Sequence, residues 1–227
     1  MPGQQEPVIW MRPARAPLGR PAERSRAEIT AAAVELADRQ GLDAVSMRRV
    51  AAALNTGAAS LYRYVATRDD LLDLMIDSTA SEYDLPAPTG DWQADLLTVA
   101  RQARDIMRRH PWLPHLVITR PTVGPQGVDL LEHVLDALAD HPADAAAKLE
   151  AFALLCALTA LFVQNELAAA DPGSARQTAY LRHAAALGDH PRISALLATA
   201  PPAVTPAAGA ADRMETVLVR ALTGVLA

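Results

Sequence analysis

The sequence SMRRVAAALNTGAASLYRYV, residues 46–65, decides the fold. Apolar residues recur at helical spacing in its first part, behind a potential Ser46 cap, at Met47, Val50, Ala51 and Leu54. The turn-forming triplet 55–57 interrupts this pattern, and a second short helix is predicted from Ala58 to Tyr64. Two short helices joined by such a turn form a helix-turn-helix, which can place its second helix in the major groove of DNA.

Helical periodicity continues on both sides of this unit. Ser25 and Glu28 have the spacing of a capping box and predict a helix before the helix-turn-helix. Thr67 and Asp70 repeat that spacing and predict a helix after it. The inward-facing residues of this later helix are Leu71, Leu72, Met75 and Ile76. We therefore predict a three-helix helix-turn-helix DNA-binding domain over residues 25–76.

The rest of the chain also has helical patterns. Pro and Gly residues between positions 86 and 90 mark a joint, and we find no convincing strand or internal repeat. Helices are predicted at 91–109, 113–118, 126–139, 143–170, 174–187, just after Pro191 and at 212–226. We expect a flexible arm at 1–24 and a loop at 199–211. The sequence thus predicts an all-α chain in which a larger α-helical domain, residues 77–227, follows the DNA-binding domain.

The composition suits a helical protein with one basic region. Hydrophobic residues make up 51% of the 227 residues, and the excess is Ala and Leu, which are strong helix formers. The net charge of −5 conceals a division, because residues 1–68 carry ten Arg against six acidic residues. Residues 44–68 hold four Arg and no Asp or Glu. A basic region on an acidic body is typical of a DNA-binding protein.

Cysteine usage and hydropathy predict a cytoplasmic protein. The single Cys156 cannot form an internal disulfide and fits a reducing compartment. The longest apolar run, residues 151–163, is shorter than the ~18–20 residues that span a bilayer. We therefore expect a buried helix there and no membrane association. Residues 1–24 lack the order of a signal peptide.

The sequence offers little for catalysis or metal binding. Three His residues precede Pro at positions where helices should end, namely His110, His141 and His190. The helix dipole stabilises a cation at the carboxyl end of a helix, so this position is explained without a ligand. None has a ligand spacing with carboxylates or Cys, so we expect no metal and no cofactor. A small helical enzyme is a weak alternative, since no nucleophile stands beside a base. A helical dimerisation or adaptor protein without DNA contact is the other alternative, but it would not need the acid-free basic stretch.

The chemistry of the helix-turn-helix narrows the residues that could face DNA. Leu54 and Leu61 should hold the two helices together and leave the outer face of the second helix open. Tyr hydroxyls and Arg guanidinium groups donate to phosphate oxygens, and Arg63 could also read guanine. The predicted DNA-facing residues are Ser46, Arg48, Arg49, Ala58, Ala59, Ser60, Tyr62, Arg63, Tyr64 and Arg68.

Residues 26–76 resemble the TetR family of bacterial transcriptional regulators. The stretch GLDAVSMRRVAAAL, residues 41–54, is similar to that family's second-helix pattern. ASLYRYV at 59–65, with RDDLL at 68–72, is similar to its recognition helix and the start of its fourth helix. By position, the resemblance implies phosphate contacts by Tyr62, Tyr64 and Arg68 and further DNA contacts by Ser46, Arg48, Ala58 and Ala59.

The same resemblance implies a function. It implies a homodimer that binds a palindromic double-stranded DNA operator, and a carboxyl-terminal domain that binds a small-molecule effector. It also implies repression that the effector relieves. The chain departs from the family pattern at Asn55, where Gly is usual, and at Gly57, where a Ser or Thr cap is usual. Asn tolerates the left-handed conformation, whereas loss of the cap weakens the start of the recognition helix.

An effector pocket would need apolar walls with a few polar groups, and we expect it within residues 92–185. The predicted lining residues, each of which could equally belong to the core, are Trp92, Met107, Trp112, His115, Phe152, Phe162, Gln164, Asn165 and Tyr180. Gln164 and Asn165 continue a helix predicted to be buried, so their amides need a partner. An apolar or weakly polar effector is expected.

Two helices of the larger domain predict a dimer interface. The helix around residues 151–163 is apolar nearly all round, and the last helix has a broad apolar stripe. Together they have more apolar surface than one core requires. We therefore expect that Leu218→Asp or Leu222→Asp would produce monomers that bind DNA poorly.

Overall fold

The computed structural model of the protein describes residues 8–12, 25–120, 122–168, 172–199 and 209–227. Its α-helices are α1 (Arg26–Gln40), α2 (Met47–Ala53), α3 (Ala58–Leu61), α4 (Arg68–Ala80), α5 (Trp92–Arg109), α6 (Leu113–Thr119), α7 (Pro125–Ala137), α8 (Ala145–Ala168), α9 (Pro172–Ala186), α10 (Pro191–Thr199) and α11 (Ala210–Val225). Short 3₁₀ turns lie at Ile9–Met11 and Leu42–Ala44. No strand occurs in the described ranges, and the all-α prediction is confirmed.

Both predicted capping boxes are present. The Ser25 hydroxyl accepts from the Glu28 N–H at 3.1 Å, and the Glu28 carboxylate accepts from the Ser25 N–H at 2.7 Å. At the start of α4, the Thr67 hydroxyl and the Asp70 carboxylate make the same pair of bonds at 2.9 and 3.1 Å. These bonds satisfy amides that the helix cannot satisfy itself, which is why α1 and α4 begin where they do.

The recognition helix α3 is shorter than the predicted range of 58–64. It ends at Leu61, whose carbonyl oxygen accepts hydrogen bonds from both Tyr64 N–H (2.9 Å) and Val65 N–H (3.0 Å). This tight turn brings Tyr64 and Val65 into the core, where they are 7% and 0% exposed. The helix therefore ends early, because the tight turn allows the Tyr64 and Val65 side chains to be buried.

Helix α4 joins the DNA-binding unit to the larger domain. One cluster of buried apolar residues packs α1–α4 together and continues into α5, α6 and α8 through Ile106, Leu116 and Val163. The domain boundary predicted between residues 76 and 77 falls inside α4, which runs on to Ala80. The polar residues 77–79 concealed this continuation. In the structure the Ser78 and Thr79 hydroxyls donate to backbone carbonyls one turn earlier, so they fit within a helix.

Residues 8–12 pack against the DNA-binding unit. Ile9 is 1% exposed within the shared core cluster, and Trp10 packs against that cluster. The prediction of a flexible arm is therefore wrong for residues 8–12, because the short apolar run at 8–11 docks on the core through Ile9 and Trp10. The other residues predicted as the arm, 1–7 and 13–24, lie outside the described residues.

Helix α8 is the centre of the larger domain. Helices α5, α6, α7 and α11 all pack against it. The contacts of α5, α7 and α11 with α8 surround a second cluster that includes Leu96, Leu138 and Leu155. By length and composition α8 could cross a membrane, with a mean hydropathy of 1.9 over 18 residues. Only 28% of that window is buried within the chain, so much of its apolar surface faces outward.

Leu218 and Leu222 lie on the inner side of α11. They are 0% and 1% exposed and belong to the second cluster. An Asp at either position is predicted above to produce monomers that bind DNA poorly, but these side chains form the core of a single chain, so the substitution would also disrupt that core. The exposed apolar residues that α8 and α11 leave for a partner are Leu149, Leu161, Leu167 and Val217.

Helices α9 and α10 pack mainly on each other, at the edge of the larger domain. Among their described side chains only Ala184 is buried. The loop predicted at 199–211 becomes shorter at both ends, since α10 reaches Thr199 and α11 begins at Ala210. Residues 200–208 lie outside the described residues.

Candidate nucleic-acid interface and adjoining cavity

Of the ten residues predicted to face DNA, nine are exposed or half-buried and one is buried. Arg48, Arg49, Tyr62, Arg63 and Arg68 are exposed on the outer side of α2, α3 and the start of α4, and we call these five residues the head surface. Ala59 is exposed, and Ser46, Ala58 and Ser60 are half-buried beside them. Tyr64 is the exception. At 7% exposure its ring lies in the core, so the prediction that it shares the outer face is wrong.

Local hydrogen bonds orient the polar groups of the head surface. The Ser46 hydroxyl caps α2 by accepting from the Arg49 N–H at 3.3 Å, and the Arg49 guanidinium donates to the side-chain oxygen of Gln40. Arg63 donates to the Ser60 hydroxyl at 3.2 Å. The absence of a side-chain cap at Gly57 leaves the first amides of α3 unbonded by side chains, as its sequence predicts.

Arg68 is held at the start of α4 by the loop before α2. Its Nε donates to the Val45 carbonyl at 3.0 Å, and its Nη2 donates to the Leu42 carbonyl at 3.4 Å. A guanidinium carries five N–H donors, so these two bonds fix its position and leave capacity for a phosphate. Arg68 therefore links the two segments that would approach the DNA backbone.

The acidic residue that directly follows the head surface in sequence is already paired. Asp69 comes after the acid-free stretch 44–68, and its carboxylate accepts from Arg120 Nη1 at 2.9 Å. Arg120 Nη2 donates to Asp73 at 3.0 Å. These ion pairs reduce the negative charge at the amino end of α4, so the positive potential of the head surface is retained.

A cavity of about 240 Å³ lies behind α4, between that helix and α5–α8. We call it the α4 cavity. Most of its wall is apolar, and the large apolar residues are Ile76, Ile106, Met107, Leu113, Val117, Val123, Leu130 and Phe152. Its polar wall residues include Asp77, Thr79, Tyr83, Arg120, Thr122 and Cys156. Apolar walls with a few polar groups are typical of sites for small molecules.

The polar groups of the α4 cavity are poorly solvated. Burial raises the pKa of Asp77, although its carboxylate accepts a hydrogen bond from the Gly127 N–H at 3.0 Å. Burial also raises the pKa of Tyr83, and it raises the pKa of Cys156 to about 12, so the thiol stays protonated. Arg120 Nε is buried without a hydrogen-bond partner among the described residues. An unpaired buried donor on a cavity wall favours a ligand that carries an acceptor.

Of the nine residues predicted to line an effector pocket, Met107 and Phe152 lie on the α4 cavity. Trp112 and His115 border a groove beside α1, Trp92 borders one at the far end of α5, and Phe162 faces a groove between α8 and α11. Gln164 is half-buried, and Asn165 and Tyr180 are exposed. None of these seven is among the residues of the α4 cavity wall.

Sequence reasoning missed the part of the wall that comes from α4 and the end of α6. Asp77, Tyr83 and Arg120 line the α4 cavity, and the first two precede the predicted range of 92–185. Asp77 adjoins a predicted domain boundary, and Arg120 falls in a segment interrupted by Pro residues. A buried polar residue at the junction of two domains has no periodic signature in a single sequence.

His110 forms a polar joint between the two parts of the molecule. Its ring nitrogens lie 2.8 Å from an Asp38 carboxylate oxygen on α1 and 2.8 Å from a Glu82 oxygen after α4. Trp112 Nε1 donates to Asp38 at 2.7 Å. The predicted position at a helix end is confirmed, because His110 is the C-cap of α5. Among the described residues, no group of three or more His, Cys, Asp or Glu side chains could hold a metal ion.

Comparison with known families agrees with this architecture. Residues 29–75 match the family described as bacterial regulatory proteins, tetR family, and residues 85–227 match the tetracyclin repressor-like C-terminal domain. The chain therefore belongs to the TetR family of bacterial regulatory proteins.

Two curated relatives carry names that state a role. The HTH-type transcriptional repressor DrrR1 of Streptomyces coeruleorubidus is 48% identical over 109 residues, which are 47% of this chain and 40% of the relative. An HTH-type transcriptional regulator of Saccharopolyspora erythraea is 39% identical over 133 residues, which are 58% of this chain and 56% of the relative. The matches thus span about half the length of these curated relatives.

A solved structure covers nearly the whole chain. The TetR family protein ActR of Streptomyces coelicolor, in complex with actinorhodin, has a TM-score of 0.74 and 27% identity to this protein. The match covers 90% of this chain and 96% of that one. The likeness therefore includes the larger helical domain as well as the helix-turn-helix.

Proposed function

We propose that this protein is a cytoplasmic transcriptional repressor that binds a palindromic DNA operator as a homodimer and is released by a small effector. The observation that carries this proposal is the head surface, a group of exposed Arg and Tyr side chains on a helix-turn-helix whose residues 44–68 include no Asp or Glu. Such side chains supply the phosphate contacts that give a DNA-binding protein its affinity and register. The repressor name of the relative DrrR1 supports the same role.

A second copy of the chain is the proposed partner in the dimer. Helix α8 keeps most of its apolar window outside the core of its own chain, and Val217 of α11 extends this surface. Pairing α8 and α11 with the same helices of a second copy would bury these residues in a four-helix arrangement. Two-fold symmetry of the protein then requires a two-fold symmetric operator.

The α4 cavity is the proposed effector site. Its apolar walls favour an apolar molecule, and the unpaired Arg120 Nε favours one with a hydrogen-bond acceptor. ActR, which shares the fold, was solved with actinorhodin bound. Helix α4 forms one wall of the cavity and also presents Arg68, so a ligand that changes the packing of α4 changes the head surface.

Selection of genomic DNA fragments by the purified protein tests the DNA-binding part of the proposal. Fluorescence anisotropy then gives the affinity of a selected fragment as a function of salt. We expect Arg48→Ala and Tyr62→Phe to weaken binding of all fragments. Only Arg48→Ala should lower the salt slope, by about 0.9, because the Tyr62 hydroxyl carries no charge and releases no counterion. Arg192→Ala removes a charge from the exposed surface of α10 and is the matched control.

Three results are distinguishable. Enrichment of a palindromic sequence supports the proposal. Failure to select any fragment contradicts it and favours the adaptor alternative. Equal weakening by Arg48→Ala and Arg192→Ala would contradict the assignment of the head surface, because only the total charge would then matter.

A further inference from the structure

Residues 8–12 contact both the wall of the α4 cavity and the start of α4. We call these residues the strap. Its 3₁₀ turn, Ile9–Met11, is anchored by Ile9 in the shared core. Ile9 is 1% exposed, and Trp10 and Arg12 follow it within three residues, so the buried anchor limits how far either can move.

The cavity end of the strap is Trp10. The Trp10 ring and the Asp77 carboxylate both pack on the backbone of Gly124, where a Cβ atom would lie 2.6 Å from Trp10 Cζ2 and 2.4 Å from Asp77 Cγ. Gly124 and Asp77 belong to the cavity wall, and Gly124 caps the amino end of α7. Any movement of this wall towards the strap therefore meets the Trp10 ring at once.

The other end of the strap holds the DNA-binding unit. Arg12 donates to both carboxylate oxygens of Asp70, at 3.0 and 2.9 Å, and Asp70 is the residue whose carboxylate completes the α4 capping box. Arg26 donates to the strap carbonyls of Ile9 and Arg12 at 3.2 and 3.0 Å. Through its Nε, Arg26 also donates to the Tyr64 carbonyl at the end of the recognition segment.

We propose that the strap positions the head surface according to the state of the α4 cavity, with Trp10 as the contact on the cavity side and Arg12 as the contact on the DNA side. This inference rests on the proposed function of the cavity and the head surface. According to this proposal, residues 8–12, which precede the helix-turn-helix in the chain, take part in the response to an effector. The α4 helix then provides one connection between cavity and DNA, and the strap provides a second.

The bonds of Arg12 explain why the strap can affect Arg68. Asp70 is 6% exposed, and its carboxylate accepts from the Thr67 N–H as well as from Arg12. Removal of the Arg12 guanidinium would take away both of its hydrogen bonds to this buried charge and leave the weaker electrostatic attraction of Arg26, so the segment around Asp70 should rearrange. The rearranged segment would be the first turn of α4, which contains Arg68.

A methyl group added at Gly124 imitates movement of the cavity wall without requiring a known ligand. In the purified full-length protein, Gly124→Ala should displace Trp10 and speed amide hydrogen exchange in residues 62–72 about fivefold. The methyl group also meets the Asp77 carboxylate on α4. The Trp10→Leu background therefore removes only the contribution that passes through the strap, and the effect of Gly124→Ala there should be at most half as large. Gly224→Ala is the control, since a Cβ atom at Gly224 meets nothing within 4 Å.

Arg12 is tested at the other end of the strap. Arg12→Gln should weaken binding of the selected DNA fragment about tenfold, a change of about 1.4 kcal/mol. Arg12→Lys keeps the charge but loses the two-bond geometry, and should recover part of the affinity. Circular dichroism and the melting temperature show whether each variant is folded, and affinities are expressed per folded molecule.

The results separate the strap from the function on which it rests. If the wild type selects no DNA, the proposed function fails, and the exchange measurements alone decide whether the strap transmits a change. If Gly124→Ala speeds exchange equally in the wild-type and Trp10→Leu backgrounds, the strap does not transmit it. If Arg12→Gln lowers the melting temperature while DNA affinity is unchanged, the role of Arg12 is only structural and the proposal is overturned.

Discussion

Asn55 occupies the left-handed region with a φ of 52°, in the turn between α2 and α3. It is the one non-glycine residue with a positive φ among the described residues. The turn needs this conformation to reverse the chain within three residues, and Asn tolerates it better than residues with larger or branched side chains. The sequence predicted a tight turn here, because Asn and Gly lie in a triplet between two helical patterns and both tolerate the backbone conformations of such a turn.

Replacement of Asn55 should reveal the strain. Asn55→Ala is expected to lower the free energy of unfolding by about 1 kcal/mol, since Ala disfavours the left-handed region. Asn55→Gly should change it by less than about 0.5 kcal/mol, because Gly adopts this conformation freely. Urea denaturation followed by circular dichroism measures both. Equal loss in the two variants would show that the Asn side chain, and not the backbone, stabilises the turn.

Single residues were predictable where their role is local. The caps at Ser25, Ser46 and Thr67 depend on neighbours within three residues, and all three are present. Tyr64 was not predictable in the same way. Its burial depends on where α3 ends, and that end is decided by packing against residues distant in sequence. The wall residue Arg120 likewise gains its role from contacts with Asp69 and Asp73, about fifty positions earlier.

At the scale of elements, the ends of α4 and α5 are joined by charged groups. Glu82 accepts from Arg109 at 2.6 Å and lies 2.8 Å from the His110 ring. Burial alone would raise the pKa of Glu82, but the hydrogen bonds from Arg109 and His110 outweigh it and lower the pKa below the ordinary 4.5. A lowered pKa means that Glu82 stabilises the folded state above pH 4.5. That contribution is lost as the pH falls through the lower folded value.

Glu82→Gln should test this joint. At pH 7 the variant is expected to unfold more easily by about 1 kcal/mol, because two charge-assisted bonds are weakened. The difference from the wild type should narrow as the pH falls below 4.5, because the carboxylate of the unfolded chain is protonated first, and it should be lost below the lower folded pKa. Urea denaturation at a series of pH values measures the difference. Glu132→Gln on the exposed side of α7 is the control, and an equal effect there would contradict the prediction.

Most helices could be predicted from the sequence, but the strap and the end of α4 could not. Strong periodicity located α5, α7, α8 and α11 to within about two residues. The strap was missed because three residues of 3₁₀ helix have no periodic pattern. The end of α4 was missed because residues 77–79 are polar, although their hydroxyl and carboxyl groups bond within the fold.

At the scale of the whole molecule, the outward side of α8 is the surface that we propose for the dimer interface. Leu161 is 45% exposed there, whereas Leu218 is fully buried inside the chain. Leu161→Glu should therefore produce a folded monomer whose DNA affinity falls at least about tenfold, since charge is excluded from an apolar interface. Sedimentation velocity at micromolar concentration, with circular dichroism to confirm folding, measures this outcome.

The control variants for the dimer prediction are chosen by the exposure of the residue that is replaced. Val128→Glu alters an exposed residue of α7 and should remain dimeric. Leu218→Asp should lose its helical signal, because it places a charge in the core. A folded dimer of Leu161→Glu would contradict the proposed interface. The sequence identified both helices as more apolar than one core requires, but it could not tell their inner side from their outer side.

The length of helix α4 relates a small tilt of that helix to the spacing between two operator half-sites. Its 13 residues make a rod about 20 Å long, which reaches from the cavity to the capping box beside Arg68. A tilt of about 5° around its cavity end moves the other end by about 1.7 Å. In a two-fold symmetric pair the two heads move in opposite directions, so their spacing changes by about 3.4 Å, the rise of one base pair along a DNA strand. An operator with one base pair inserted or removed between its half-sites changes their separation by the same distance, but it also rotates one half-site by about 34–36°. Binding to such an operator would therefore show whether the heads can turn as well as separate.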